Sequence, residues 1–188
     1  MPLNLPNLIT LLRILLIPLI VGIFYLPDVW FTDQGRNIAA TAVFIVAAIT
    51  DWLDGYLARK LNQMSAFGAF LDPVADKLVV VGALVVLLKL GRVDMVVGLI
   101  IIGREIAISA LREWMAHLGR AKSVAVAFIG KLKTVLQMVA IPLLLFEDRL
   151  FGVIDCYALG TALIYVAAVL TVISMLYYMR RALPLARS

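Results

Sequence analysis

The sequence predicts an all-α integral membrane protein with six transmembrane helices and both termini on the cytoplasmic side. Three observations carry this. Of 188 residues, 64% are hydrophobic and the mean hydropathy is +1.04, whereas a soluble domain is about half apolar. The apolar residues fall into runs near the roughly 20 residues that cross a hydrocarbon core. The Lys and Arg residues are distributed unevenly over the ends of those runs.

The runs lie at Leu8–Leu26, Asn37–Leu57, Phe67–Leu90, Met95–Met115, Val124–Phe146 and Tyr157–Met179. Turn chemistry separates them: Pro27 to Arg36 holds Pro, Asp, Thr and Gly, Gly91 follows Lys89, Gly119 to Ser123 is polar, and Gly152 sits in the acidic stretch Glu147 to Asp155. The N-terminal stretch lacks the charged start and small-residue cleavage site of a signal peptide, so its apolar run is expected to stay as the first span. With no internal repeat and no linker, residues 1–188 read as one six-helix domain. With both termini on one side, that side receives all of the 17 Lys and Arg except Arg36, Lys89, Arg92 and Arg149. The positive-inside rule makes that side cytoplasmic. The single cysteine, Cys156, excludes an intrachain disulfide and argues against a cysteine metal site. The cations sit between apolar runs and form no continuous stripe, which argues against nucleic acid as a partner.

Against this apolar background stand Asp51, Asp54, Asp72 and Asp76. Carboxylates at membrane depth are costly and mark pairing, cation binding or function. Asp51 and Asp54 are i,i+3 near the end of the second run. Asp72 and Asp76 are i,i+4 near the start of the third. Each pair shares a helix face, and a short turn brings the two pairs to similar depth. Four ionised carboxylates facing each other would repel, and divalent cations relieve that repulsion. Oxygen-only ligands suit Mg2+, Mn2+ or Ca2+ rather than zinc. Two such ions about 3.5–4 Å apart form the arrangement used for phosphoryl displacement.

Gly55, Ala58 and Gly68 flank the acids and leave room for a phosphate against the backbone, while Arg59 offers a bidentate phosphate contact. The alternative is that the glycines serve close helix packing. Taken together, the spacing D-x2-D-G-x2-A-R-x8-G-x3-D-x3-D, from Asp51 to Asp76, resembles the signature of the CDP-alcohol phosphotransferases. The resemblance implies that a CDP-linked alcohol meets a second alcohol and CMP leaves. It implies Asp51, Asp54 and Asp72 as ligands of two divalent cations, Mg2+ or Mn2+. Asp76 is implied as the base and a possible further ligand. The segments NLPNLITLLRILLIP, TDWLDGYLARK, FGAFLDPVADKL, GREIAISALREWMA and GKLKTVLQM resemble the bacterial members that act on CDP-diacylglycerol and sn-glycerol 3-phosphate. That resemblance further implies a homodimer in the bacterial inner membrane, with its site open to the cytoplasm and to the bilayer.

Asn7, Thr10 and Arg13 recur every three residues and share one face of the first helix. Alone they read as a cap and an interface anchor. With the family in view they read as part of the CDP-binding wall. Arg104 and Arg112 are eight apart, about two turns, and share a face of the fourth helix, while Lys131 and Lys133 lie in the fifth. Glu105 and Glu113 can pair with some of these cations. The excess suggests an anion site for the acceptor phosphate. Being i,i+2, Lys131 and Lys133 cannot point the same way, so one of them is expected to pack or snorkel. Thr134 and Gln137 read as helix-packing residues, and Lys77 is expected to point about 100° away from Asp76. Two rival readings stand beside the main one. A cation transporter explains the acids but not Arg59 or the basic set. A family member with another acceptor (serine, inositol phosphate or phosphatidylglycerol) shares the whole signature.

Overall fold

The computed structural model describes residues 4–61, 65–117 and 128–186. Among them run α1 (Leu5–Ile23), α2 (Asp33–Lys60), α3 (Ala66–Lys89), α4 (Met95–His117), α5 (Phe128–Phe146) and α6 (Cys156–Ala186). The expected start of the fifth run, Val124, lies outside the described residues. One departure from an all-α chain sits between α5 and α6. There β1 (Arg149–Leu150) pairs antiparallel with β2 (Ile154–Asp155). Phe151 and Gly152 both take positive φ in the connecting turn, which lets so short a stretch fold back on itself.

Local signals explain where the helices begin. Thr32 caps α2 by accepting from the Gly35 amide at 3.1 Å. Ser65 caps α3 by accepting from the Gly68 amide at 3.0 Å. The end of α3 is equally specific. Gly91, at φ 69°, takes the left-handed conformation that closes a helix C-terminus, and the Arg92 amide donates to the Leu87 carbonyl at 2.9 Å. The chain is thereby turned so that Arg92 points across to α5.

α1 is amphipathic in the sense suited to lipid. Leu8, Leu12, Leu15 and Leu19 form an exposed stripe, while Asn7, Thr10, Arg13, Ile20 and Ile23 face inward and are buried. The polar half of that inner face meets α2 and α3, and the apolar half joins a core to which all six helices contribute. Small residues bring the helices close. A methyl group at Gly82 would lie 2.7 Å from Ile17, and one at Gly160 would press on Leu144 and the Ala140 carbonyl. Elsewhere the outer surface carries large exposed apolar side chains such as Ile45, Ile49, Val169 and Leu176, as a lipid-facing surface requires.

Asp33–Asp54, Ile129–Phe146 and Cys156–Arg180 are long and apolar enough to cross a bilayer, and Asn7–Ile23 is a shorter apolar helix. In α3 and α4 the apolar stretch is cut by Asp72, Asp76 and Lys77, and by Arg104, Glu105, Arg112 and Glu113. The chain is a helical membrane protein in which charged residues interrupt the apolar stretches of α3 and α4.

Candidate functional site: an aspartate cluster and an adjoining basic cavity

α1, α2 and α3 deliver the site. Thr10 and Arg13, one turn apart on α1, project into the gap between the α2 acids and the α3 acids. The Thr10 hydroxyl lies 2.8 Å from Asp72 Oδ1 and 3.2 Å from Asp54 Oδ2, linking the two pairs. The Arg13 guanidinium does the same with formal charge. Its Nη1 donates to Asp51 Oδ1 at 2.7 Å and also to Asp76 Oδ1, and its Nη2 donates to Asp54 Oδ2. The antiparallel pairing of i,i+3 and i,i+4 carboxylates therefore brings all four acids around two α1 side chains.

The cluster has a closed side and an open side. Arg13 and Asp54 are 1% and 3% exposed, whereas Asp51 and Asp76 are 38% and 42% exposed. The open side faces a cavity of about 150 Å3 lined by Asp51, Asp76, Lys77, Glu105, Thr134 and Gln137, with Val80 and Met138. Lys77 thus shares the cavity with Asp76. A 100° step on one helix does not take a side chain out of a cavity whose walls come from several helices.

Asn7 pins α1 to the start of α3. Its Nδ2 donates to Ser65 Oγ at 3.0 Å, and a methyl group at Gly68 would fall 2.5 Å from Asn7 Oδ1. The absent side chain at Gly68 is what admits Asn7, a close-packing role where the sequence reading favoured room for a phosphate. Gly55 directly follows Asp54 on α2, Ala58 and Arg59 lie about one turn further on, and their surroundings fall outside what is described.

The predicted basic set assembles. Arg104, Arg112, Lys131 and Lys133 all line one cavity of about 370 Å3, together with Glu105, Gly130, Thr134 and Val135. Arg104 and Arg112 flank the buried Tyr178 ring at 5.9 and 5.7 Å, so the two-turn spacing does place them on one face. Lys133 is buried and paired with Glu105, which also accepts from Arg104 at 3.2 Å. Lys131 is exposed at the cavity rim. The two lysines differ in burial, as their i,i+2 spacing requires, yet both reach the same cavity. Among the described residues Glu105 is the only acid on this lining. Among the described residues no acid lies within ion-pair distance of Arg112 or Lys131, so the cavity keeps surplus positive charge.

Glu105 and Thr134 line both cavities, which makes the acidic and basic chambers neighbours. Sequence reasoning treated Glu105 as a mere ion-pair partner and Thr134 as a packing residue. Only the meeting of α4 with α5 shows them standing between the chambers. Thr134 still bonds its own helix, at the Gly130 carbonyl.

The donor set around Thr10 and Arg13 consists of carboxylate and hydroxyl oxygens, which suits hard divalent cations. The buried guanidinium marks the place where positive charge is wanted. Yet among the described residues no three acidic, histidine or cysteine side chains are arranged to hold one ion. The carboxylates are organised around Arg13 instead.

Fold and site together define a helical membrane protein with an aspartate cluster opening toward an anion-attracting chamber. The model of the CDP-alcohol phosphatidyltransferase family matches residues 3–173, and the chain belongs to that family. It is similar to the CDP-diacylglycerol–glycerol-3-phosphate 3-phosphatidyltransferases of Escherichia coli and Shigella flexneri. The identity to each is 50% over 184 residues, covering 97% of this chain and 96% of the relative.

Proposed function

We propose that this chain transfers the phosphatidyl group of CDP-diacylglycerol to sn-glycerol 3-phosphate, giving phosphatidylglycerophosphate and CMP. Identity of 50% along nearly the full length of a named relative supports the activity. The structural observation that carries the choice of acceptor is the adjacency of the two chambers. A surplus of cations, Arg112 and Lys131 foremost, stands next to the wall that holds Asp76.

In this reading the acceptor's phosphate lies among Arg104, Arg112, Lys131 and Lys133. Its 1-hydroxyl then points past Thr134 toward Asp76. Asp76 takes the hydroxyl proton, the oxygen bonds to the β-phosphorus of CDP-diacylglycerol, and the bond from that phosphorus to the CMP phosphate breaks in line. Asp51, Asp54, Asp72 and Asp76 would hold two divalent cations, Mg2+ or Mn2+, which supply neutralisation of the pyrophosphate charge. Asn7, Thr10, Arg13, Gly55, Ala58, Arg59 and Gly68 form the CDP side. The lipid substrate stays in the bilayer while CMP departs to water, so the cluster must open to both.

Residues 1–188 act as one domain. Its six helices all span the bacterial inner membrane with the termini and the site on the cytoplasmic side, and the enzyme works as a homodimer. The decisive experiment measures CMP release by purified protein against a panel of acceptors. Release with glycerol 3-phosphate and not with serine, inositol phosphate or phosphatidylglycerol is the expected result. Release with one of the others instead would reassign the acceptor chamber. Cation flux without CMP release would return the chain to the transporter reading.

A further inference from the structure

Arg13 is the most deeply buried charge of the site. Nη1 sits between Asp51 and Asp76, bridging a carboxylate of α2 and a carboxylate of α3, and Nη2 takes Asp54. These are carboxylates that would hold the divalent cations in the reading above. The arrangement satisfies the acids at the expense of the arginine, whose Nε is buried with no hydrogen-bond partner among the described residues. A guanidinium held among these carboxylates competes with a divalent cation for their charge, and the two cations repel each other. In a low-dielectric interior that repulsion is only weakly screened.

The surroundings allow exchange. α1 is held to α3 through Asn7, Ser65 and Gly68, independently of Arg13, so the helix stays docked if the side chain moves. Asp51 and Asp76 are open to the 150 Å3 cavity, whose lining does not include Arg13, giving an ion a route to those two carboxylates.

We propose that Arg13 is the resident counter-cation of the aspartate cluster and exchanges with the divalent cations at those carboxylates. Without metal, the guanidinium holds Asp51, Asp54 and Asp76 together in the bilayer, while Thr10 holds Asp72. Metal binding releases it, and only then can it serve as a donor to the pyrophosphate. Arg13 is thus a positioning residue that prevents the vacant site from flying apart and raises the concentration of metal needed to load it. The inference rests on the reading of Asp51, Asp54, Asp72 and Asp76 as metal ligands.

The test measures Mn2+ binding by electron paramagnetic resonance to the purified full-length chain in nanodiscs, without lipid substrate. It compares the native protein with Arg13→Gln and Arg13→Lys. Removing the competitor should tighten Mn2+ binding by about tenfold or more in Arg13→Gln, since each tenfold corresponds to about 1.4 kcal/mol and charged hydrogen bonds contribute that much. Arg13→Lys, with fewer and less directional donors, should fall in between. Chelation should lower the melting temperature of Arg13→Gln more than that of the native chain, with Mn2+ restoring it. Mn2+ affinity in Arg13→Gln equal to or weaker than native overturns the exchange while leaving the metal site standing. Absence of Mn2+ binding in every form overturns the ligand reading and the exchange with it. Should Arg13→Gln fail to fold, Arg13→Lys decides alone, and native-like or weaker affinity there overturns the proposal.

Discussion

Two arginines, Arg13 and Arg92, organise opposite ends of the bundle, and they do so with different partners. Arg92 donates to the Leu144 and Leu145 carbonyls at 3.2 and 2.9 Å, to Asn37 Oδ1 at 2.9 Å, and pairs with Glu147. Half of those acceptors are immovable: two of the four are the free carbonyls at the end of α5, which need a donor anyway. Arg13 has only carboxylates for charge partners, and two of them open to a cavity. An arginine on backbone carbonyls is a fastener. An arginine on carboxylates that face a cavity occupies a place another cation can take.

The comparison is tested most sharply at Asp76. Asp76→Asn should lower turnover by about 10^2–10^4-fold, the usual contribution of a positioned base, with binding of CDP-diacylglycerol retained. Near-native turnover would remove Asp76 from the proton transfer. Next in size is Arg112→Ala, which should raise the KM for glycerol 3-phosphate by roughly 10–100-fold, in line with one charged hydrogen bond. The KM for the lipid substrate should be unmoved. Arg112 makes no ion pair among the described residues, so it reports on the acceptor more cleanly than Lys133, which also holds Glu105.

At the other end, Arg92→Met should cost about 2–3 kcal/mol of stability, read as a lower melting temperature in detergent. The folded fraction should keep native kinetic constants. A change in KM there would mean that the two ends are coupled and the fastener description is wrong. The smallest effect is expected at Gly68→Ala, about 1–3 kcal/mol from the clash with Asn7. Asn7→Ala in the same chain should recover part of it, and no recovery would place the strain elsewhere.

Much of this was legible in the chain. The i,i+3 recurrence of Asn7, Thr10 and Arg13 announces a polar face on an otherwise apolar helix. The spacing of Asp51, Asp54, Asp72 and Asp76 announces two facing pairs, because helix periodicity alone decides which side chains share a face. The excess of Arg104, Arg112, Lys131 and Lys133 over nearby acids announces a cavity with surplus positive charge. The short β1–β2 ladder was not legible, since it depends on positive φ at Phe151 as well as Gly152, and a phenylalanine gives no warning of that.

Periodicity and charge thus determined a helical membrane protein, the four acids and the basic set, because each of those is a property of one helix or one turn. Only the tertiary structure decided that Arg13 turns into the acids. The same holds for Lys77 sharing a cavity with Asp76, for Glu105 and Thr134 standing between the two chambers, and for Arg92 closing the end of α5. These are relations between helices distant in sequence. Which of several apolar faces pack together is set by where small residues such as Gly68, Gly82 and Gly160 let backbones approach, and no single helix carries that information.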